Sequence, residues 1–246
     1  MKNYTLFLWI ALLMLGISGT IGAREVASFN DGWEFKKGPF SKEALQAVQK
    51  WNSDWQEVSI PHTWNADDMQ KQASAFYEGV GYYRKKFTFP ENMEGKRIFL
   101  RFEGVGSYAE VYINGYLAGT HKGAYSAFAC EISSQVKFGK ENEIIVKADN
   151  SSRPDVIPTN HILFGVYGGI YRPVWLVVTE TCSIIANDCA SPGVYITQKN
   201  VSKKSAEVTV KVKVDNATLA PAPLELENAI SVSYTHLRAH ETDQYL

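Results

Sequence analysis

Short runs of alternating apolar and polar residues dominate the chain and predict β-strands. Between Tyr108 and Ile113, every second residue is small and apolar, which places Ala109, Val111 and Ile113 on one face of a strand. The dipeptide Asn114-Gly115 follows at once and accepts the positive φ angles of a type I′ turn, so a hairpin is predicted there. Further strands are predicted at residues 82–89, 97–102, 143–149 and 174–179.

Strands of this length need a second sheet to cover their apolar faces. One helical patch is predicted, at residues 41–50, so the strands do not alternate with helices that could cover them. The rest of residues 24–180 is therefore expected to form a β-sandwich. A second β domain is predicted at residues 181–230, because residues 206–214 alternate strictly, with Val208 and Val210 on one face. Its two or three strands are too few to close a sandwich. The expected fold class is therefore all-β.

The two ends of the chain are expected to lie outside these domains. Lys2 precedes an apolar run at residues 6–15 and small residues up to Ala23, which is typical of an export signal at residues 1–23. Because the run is about half as long as a membrane span, we expect cleavage and a periplasmic or secreted protein, not a membrane protein. Residues 231–246 resemble translated sequencing-adapter sequence, so His236 and His240 are given no role as metal ligands.

The composition and the motifs argue against several classes of function. The 246 residues are 45% hydrophobic and 13% aromatic with a net charge of −1, which indicates a globular chain and argues against nucleic-acid binding. Three cysteines cannot form a disulfide framework; Cys182 and Cys189 would either pair in an oxidising compartment or stay as free thiols. The sequence has no nucleotide, zinc-hydrolase or other cofactor motif, so no cofactor and no metal are expected.

Seven short sequence blocks between Phe29 and Thr179 together form a recognisable pattern. They lie at residues 29–35, 58–65, 81–87, 102–105, 111–115, 119–125 and 168–172, and include Pro61-His62-Thr63-Trp64-Asn65 and Gly168-Gly169-Ile170-Tyr171-Arg172. These blocks resemble the N-terminal sugar-binding domain of glycoside hydrolase family 2, which comprises β-galactosidases, β-glucuronidases and β-mannosidases. The resemblance implies a jelly-roll (galactose-binding-like) β-sandwich followed by the start of an immunoglobulin-like β-sandwich.

The resemblance also implies what this chain would and would not do. Family members hydrolyse β-glycosides with retention, using two glutamates on a (β/α)₈ barrel that follows these domains. Neither glutamate is expected here, so no residue is assigned a catalytic role and the chain alone is expected to be inactive. It would brace the barrel, with lining of its pocket and homo-oligomer contacts as further options. The alternative hypothesis is a free-standing carbohydrate-binding module.

Three candidate sugar-binding residues lie in the blocks. Trp64 is interpreted either as a buried packing residue or as an aromatic face for a sugar, with Asn65 hydrogen bonding to sugar hydroxyls. Arg172 is expected to pair with a carboxylate inside the domain, and sugar contact is its alternative role.

Two more candidates follow from a departure from the family pattern. Some family members have a sugar-binding aspartate about nine residues before the counterpart of Arg172, where this chain has Leu163. Asn160 and His161 are the neutral substitutes nearby, which leaves direct substrate contact from this domain open.

Other acidic residues are interpreted as structural. Asp67 and Asp68 lie side by side in a polar loop and are expected to be solvated. Asn142-Glu143 matches the family's acid/base dipeptide, but its position predicts a turn that leads into a strand.

Overall fold

The computed structural model describes residues 24–38, 55–68, 76–157, 165–218 and 220–221. Within these residues the chain forms fourteen β-strands, and a short 3-10 turn, Glu91–Met93, lies between the fourth and fifth. The strands are β1 (Glu25–Ser28), β2 (Trp33–Lys37), β3 (Gln56–Val58), β4 (Val80–Thr88), β5 (Arg97–Phe102), β6 (Tyr108–Ile113), β7 (Tyr116–Lys122), β8 (Phe128–Glu131), β9 (Glu141–Asp149), β10 (Val174–Thr179), β11 (Cys182–Ile184), β12 (Val194–Lys199), β13 (Glu207–Val212) and β14 (Val214–Asn216).

Two antiparallel sheets build the main domain. The larger has six strands in the order β3-β2-β4-β9-β6-β7, and the smaller has four in the order β1-β10-β5-β8. Strands that are distant in sequence are neighbours in both sheets, as expected for a jelly roll rather than a simple meander. The predicted all-β sandwich is confirmed, and the predicted strands are found with ends shifted by at most two residues.

The core lies between the two sheets and follows from the alternation. Ala109, Val111 and Ile113 on β6 are completely buried, as the sequence pattern predicted. Strand β5 is buried on both faces: Leu100 and Phe102 belong to the main core, whereas Phe99 packs with Val177 and Ala186 in a second cluster. The smaller sheet is therefore partly covered on its outer face as well.

The predicted hairpin between β6 and β7 is confirmed. Asn114 has a φ of 51° and Gly115 a φ of 84°, the pair of positive values that a type I′ turn requires. Asn114 also anchors the turn, because its side-chain amide donates to the carbonyl of Gln135 at 2.8 Å. The turn thus sets the register of the two adjacent pairs, Ile113 with Tyr116 and Tyr112 with Leu117, and the register shifts before Val111.

The second β domain, called the second module from here on, comprises strands β11 to β14 and departs from its prediction. Residues 206–214 form two strands, not one, because the chain changes partner at Lys213: β13 pairs with β12, and β14 pairs with β11. The Lys213 N–H donates to the Gly193 carbonyl at 2.9 Å, and its carbonyl accepts from Ile185 at 3.0 Å. Val208 and Val210 remain substantially exposed.

Polar contacts join the second module to the smaller sheet. Arg97 on β5 forms two parallel hydrogen bonds to Glu131 on β8, at 3.0 and 2.8 Å, and a third bond to Asp215 on β14 at 2.8 Å. The Arg24 guanidinium donates to the carbonyls of Ile184 and Ile185. Two arginines of the sandwich, Arg24 and Arg97, thus hold the second module against it.

Several predictions concern other parts of the chain. The export signal, the helical patch at 41–50 and the tail at 231–246 lie outside the described residues. Within the described residues, no helix is long and apolar enough to span a bilayer. The three cysteines are free thiols, Cys130 being buried and Cys189 exposed.

Candidate functional site

A buried amide network joins three loop segments at one end of the sandwich. The side-chain amide of Asn65 donates to Asp68 at 2.7 Å and to the Tyr77 carbonyl at 3.0 Å. Its oxygen accepts from the Gly168 N–H at 2.8 Å and from the Asn150 amide at 3.3 Å. Every hydrogen-bonding position of this completely buried side chain is therefore used to hold the loops together.

Asn150 extends the network from the end of β9. Its amide donates to the Val166 carbonyl at 2.7 Å and to the Tyr77 carbonyl at 3.2 Å, and its oxygen accepts from the Gly79 N–H at 2.8 Å. Two buried asparagines thus satisfy backbone groups from segments that have no ladder partner of their own.

Trp64 packs into the same end of the sandwich. Its indole stacks on Phe35 with ring centroids 5.7 Å apart, and its N–H lies 3.4 Å from the Tyr77 carbonyl. A Cβ at Gly81 would lie 2.5 Å from the indole, and one at Gly168 would overlap it, so both close approaches require glycine. Trp64 and Asn65 thus occupy the positions expected for packing residues, and sugar contact by them stays a prediction.

Asp68 is buried, so the prediction that it is solvated is wrong. Its carboxylate accepts a hydrogen bond from the Asn65 amide and, at 3.2 Å, one from the Tyr77 N–H. Only Asp67 is exposed as predicted. The pattern missed this difference because adjacent loop residues point in different directions, and only one of them faces the amide network.

His62 packs against Phe35 and pairs with Tyr83. The His62 Nδ1 and the Tyr83 hydroxyl are 2.8 Å apart, and Tyr83 is fully buried. Burial lowers the pKa of His62 and raises that of Tyr83, so both groups are neutral near pH 7. This pair has the environment of a packing contact rather than that of a general base.

The carboxylate partner predicted for Arg172 is not found among the described residues. Arg172 is exposed, and within the described residues its guanidinium forms no ion pair. Glu103, the acidic residue on the adjacent strand end, pairs with Arg101 at 3.0 Å. Asn160, His161 and Leu163 lie outside the described residues, so sugar contact by them stays a prediction.

The acid/base-like dipeptide lies far from this end, in β9. Asn142 is buried, and its side chain bonds to the backbone of Lys137 and Lys140. Burial raises the pKa of the half-buried Glu143. In the part of the chain that the structure describes, no three His, Cys, Asp or Glu side chains are grouped to hold a metal ion.

Sequence reasoning missed two exposed tyrosines near this end, Tyr125 and Tyr167. Tyr125 is the last residue of the block at 119–125 and Tyr167 precedes the block at 168–172, but an aromatic residue in a β-rich sequence is usually buried, so the pattern gave no reason to choose them.

Comparison with known proteins decides the family. Residues 26–180 match the profile described as glycosyl hydrolases family 2, sugar binding domain. This chain belongs to glycoside hydrolase family 2. The matched residues span the sandwich and its amide network, whereas the second module lies beyond them.

Three relatives illustrate the similarity of this family 2 chain. A β-glucuronidase of Bacteroides fragilis is 37% identical over 215 residues, which is 87% of this chain and 29% of the relative. A crystal structure from Bacteroides fragilis, provisionally named a β-galactosidase, is 69% identical with a TM-score of 0.77 and covers 81% of this chain and 30% of its own. The Bacteroides uniformis β-glucuronidase structure is 33% identical with a TM-score of 0.72, covering 78% and 22%. The chain thus spans less than a third of each.

Proposed function

We propose that this chain is the sugar-binding, non-catalytic part of an exported β-glycosidase that acts on β-galactosides or β-glucuronides. The observation that carries the proposal is the family 2 match over residues 26–180, together with relatives named for those two activities. Both names occur among similar proteins, so the family match supports the reaction class and leaves the sugar open.

The chemistry assigns a division of labour. Retaining hydrolysis needs two carboxyl groups about 5–5.5 Å apart, one as nucleophile and one as acid/base. Several of the described acidic side chains are instead engaged in structural contacts, as Asp68 is in the amide network and Glu131 is with Arg97. We infer that the two catalytic glutamates belong to a barrel outside these 246 residues and that this chain braces it.

The amide network supports the bracing role. Asn65 and Asn150 tie loops from three parts of the chain without leaving buried polar groups unpaired. A loop end fixed in this way loses little conformational entropy when it packs against a neighbouring domain or a substrate.

A longer product of the source DNA tests the function. We would sequence the DNA beyond the codon for Ile230, express the extended product, and assay nitrophenyl β-galactoside and β-glucuronide. The extended product should hydrolyse one of them, whereas the 246-residue chain, as the matched control, should hydrolyse neither. Turnover by the 246-residue chain would contradict the division of labour. A stop codon after Leu246 would favour the free-standing binding module.

Export has its own test. In a bacterial host, the chain should accumulate in the periplasm with Arg24 as its first residue, as read from the mass of the intact protein. Substituting Leu12→Arg within the apolar run should block processing, whereas Asn3→Gln should leave it unchanged. An uncleaved chain in the cytoplasm of the unsubstituted control would contradict export.

A further inference from the structure

Arg101 lies on the outer face of the smaller sheet, at the border with the second module. Arg101 on β5 and Trp175 on β10 are direct cross-strand partners, so their side chains share this face. Two residues along each strand, Phe99 and Val177 pack with Ala186 of the second module, and Trp175 packs against this cluster. Arg101 therefore stands beside the place where the two parts of the chain meet.

Most hydrogen-bond donors of the Arg101 side chain have no protein partner. Its Nη1 pairs with the Glu103 carboxylate at 3.0 Å, the one ion pair or hydrogen bond of this guanidinium within the described residues. Its Nε–H is buried and meets no acceptor there. A buried donor without a partner is rare and costly, and a bound ion is one of the explanations for such a group.

A second arginine lies close enough to repel Arg101. The Nη2 of Arg24 donates to the carbonyls of Ile184 and Ile185 in the second module, at 3.1 and 2.8 Å, and no carboxylate among the described residues pairs with this guanidinium. Burial and the neighbouring Arg101 guanidinium both lower the pKa of Arg24. Two like charges thus face each other at a partly buried boundary.

The charges at this boundary do not balance. Arg97, on the same face of β5, has two carboxylate partners, Glu131 and Asp215. Arg24 and Arg101 together have one among the described residues, Glu103, so one positive charge is left without a counter-ion. A planar guanidinium binds carboxylate, sulfate or phosphate oxygens through parallel hydrogen bonds, and an anion between two guanidinium groups also removes their repulsion.

We propose that Arg24 and Arg101 bind an oxyanion at the boundary between the sandwich and the second module. The oxyanion is either free sulfate or phosphate, or a carboxylate side chain from the protein beyond residue 230. Because Arg24 also holds the carbonyls of Ile184 and Ile185, the bound anion should strengthen the contact between the two parts of the chain. Such a site is independent of the glycosidase reaction, since it involves no sugar.

Thermal unfolding of the 246-residue chain in sodium sulfate tests the site. At constant ionic strength, replacing part of the chloride by about 10 mM sulfate should raise the midpoint by about 3 °C, as expected for a dissociation constant of about 1 mM. Arg101→Gln should abolish this rise. Sulfate also stabilises folded proteins in general, so the difference between variants is the result that counts. Arg101→Lys keeps the charge with fewer donors and should retain a smaller rise, which provides a second variant if Arg101→Gln does not fold.

Two further variants separate anion binding from a purely structural role of Arg101. Glu103→Gln removes the carboxylate that competes for the guanidinium, so sulfate affinity should increase about threefold. Arg153→Gln is the matched control, because Arg153 also pairs with a carboxylate, Asp155 at 3.3 Å, and its side chain is 32% exposed against 35% for Arg101. This control should respond to sulfate like the unsubstituted chain. No rise above that in chloride, an equal rise in Arg101→Gln, or weaker binding in Glu103→Gln would overturn the proposal.

The extended product identifies the source of the anion. If a carboxylate beyond residue 230 fills the site, the extended product should not respond to sulfate, and Arg101→Gln should lower its midpoint more than that of the 246-residue chain. If the ligand is a free anion, both products should respond equally. Neither readout depends on hydrolysis: a response to sulfate that requires Arg101, in a product that cleaves no glycoside, would support the site and remove the glycosidase proposal.

Discussion

The sandwich and the second module have the same alternating pattern but differ in what covers it. On β6, Val111 is 0% exposed because the smaller sheet packs over it. On β13, Val210 is 39% exposed and pairs across the hairpin with Ile196, which is also exposed. A period of two therefore determines which side chains share a face, whereas burial depends on whether a second sheet is available.

Polar residues show the same contrast. The side chain of Asn65 in the sandwich is completely buried and joins distant segments, whereas that of Asn216 in the second module is exposed and, among the described residues, bonds only to Thr218 and Ala220. A buried amide costs much more to remove than an exposed one, because its partners stay unpaired away from water. The two regions should accordingly differ in their response to matched substitutions.

The largest effect is expected for Asn65→Ala. It leaves the Gly168 N–H and the Asp68 carboxylate without this partner, and we expect a loss of about 3 kcal/mol in the free energy of unfolding. Urea unfolding followed by tryptophan fluorescence would measure it, since all six tryptophans precede residue 181. The matched control Asn216→Ala should cost less than about 0.5 kcal/mol. Similar losses in both variants would contradict the contrast.

A pair of valine truncations gives the next effect. Val111→Ala removes two buried methyl groups and should cost about 2 kcal/mol, whereas Val210→Ala should cost less than about 0.5 kcal/mol. Denaturant titrations of the two variants would measure the difference. In the extended product, the cost of Val210→Ala should rise toward that of Val111→Ala if further strands cover β13, and an unchanged small cost would show that this face stays open.

Much of the sandwich could be predicted from local patterns. The alternation of residues 108–113 and the Asn114-Gly115 turn specify strand, face and hairpin within eight residues, so no distant information is needed. The change of partner at Lys213 could not be predicted, because the valines continue to alternate through it and only the positions of β11 and β12 divide the strand.

The candidate site was harder to predict than the fold. Asn65 was selected, but its partners come from residues 68, 77, 150 and 168, and a local pattern does not show that these meet. The solvated position expected for Asp68 was wrong for the same reason, and the carboxylate partner expected for Arg172 is not found among the described residues. Hydrogen-bond partners depend on tertiary contacts, whereas strand faces depend on neighbouring residues.

The smallest effects are expected for the two carboxylates that bind Arg97, Glu131 within the smaller sheet and Asp215 in the second module. The hydrogen bonds from Arg97 lower the pKa of Glu131, so this carboxylate stabilises the fold above its unfolded pKa, and the contribution is lost as the pH falls through the lower folded value. Glu131→Gln should cost about 1 kcal/mol at pH 7, and the difference from the unsubstituted chain should shrink in acid. Asp215→Asn, which removes the charge of a single-bond partner in the second module, should cost about 0.5 kcal/mol or less. Urea titrations at pH 7 and pH 3 would measure both, and a larger cost for Asp215→Asn would mean that the contact between regions outweighs the one within the sheet.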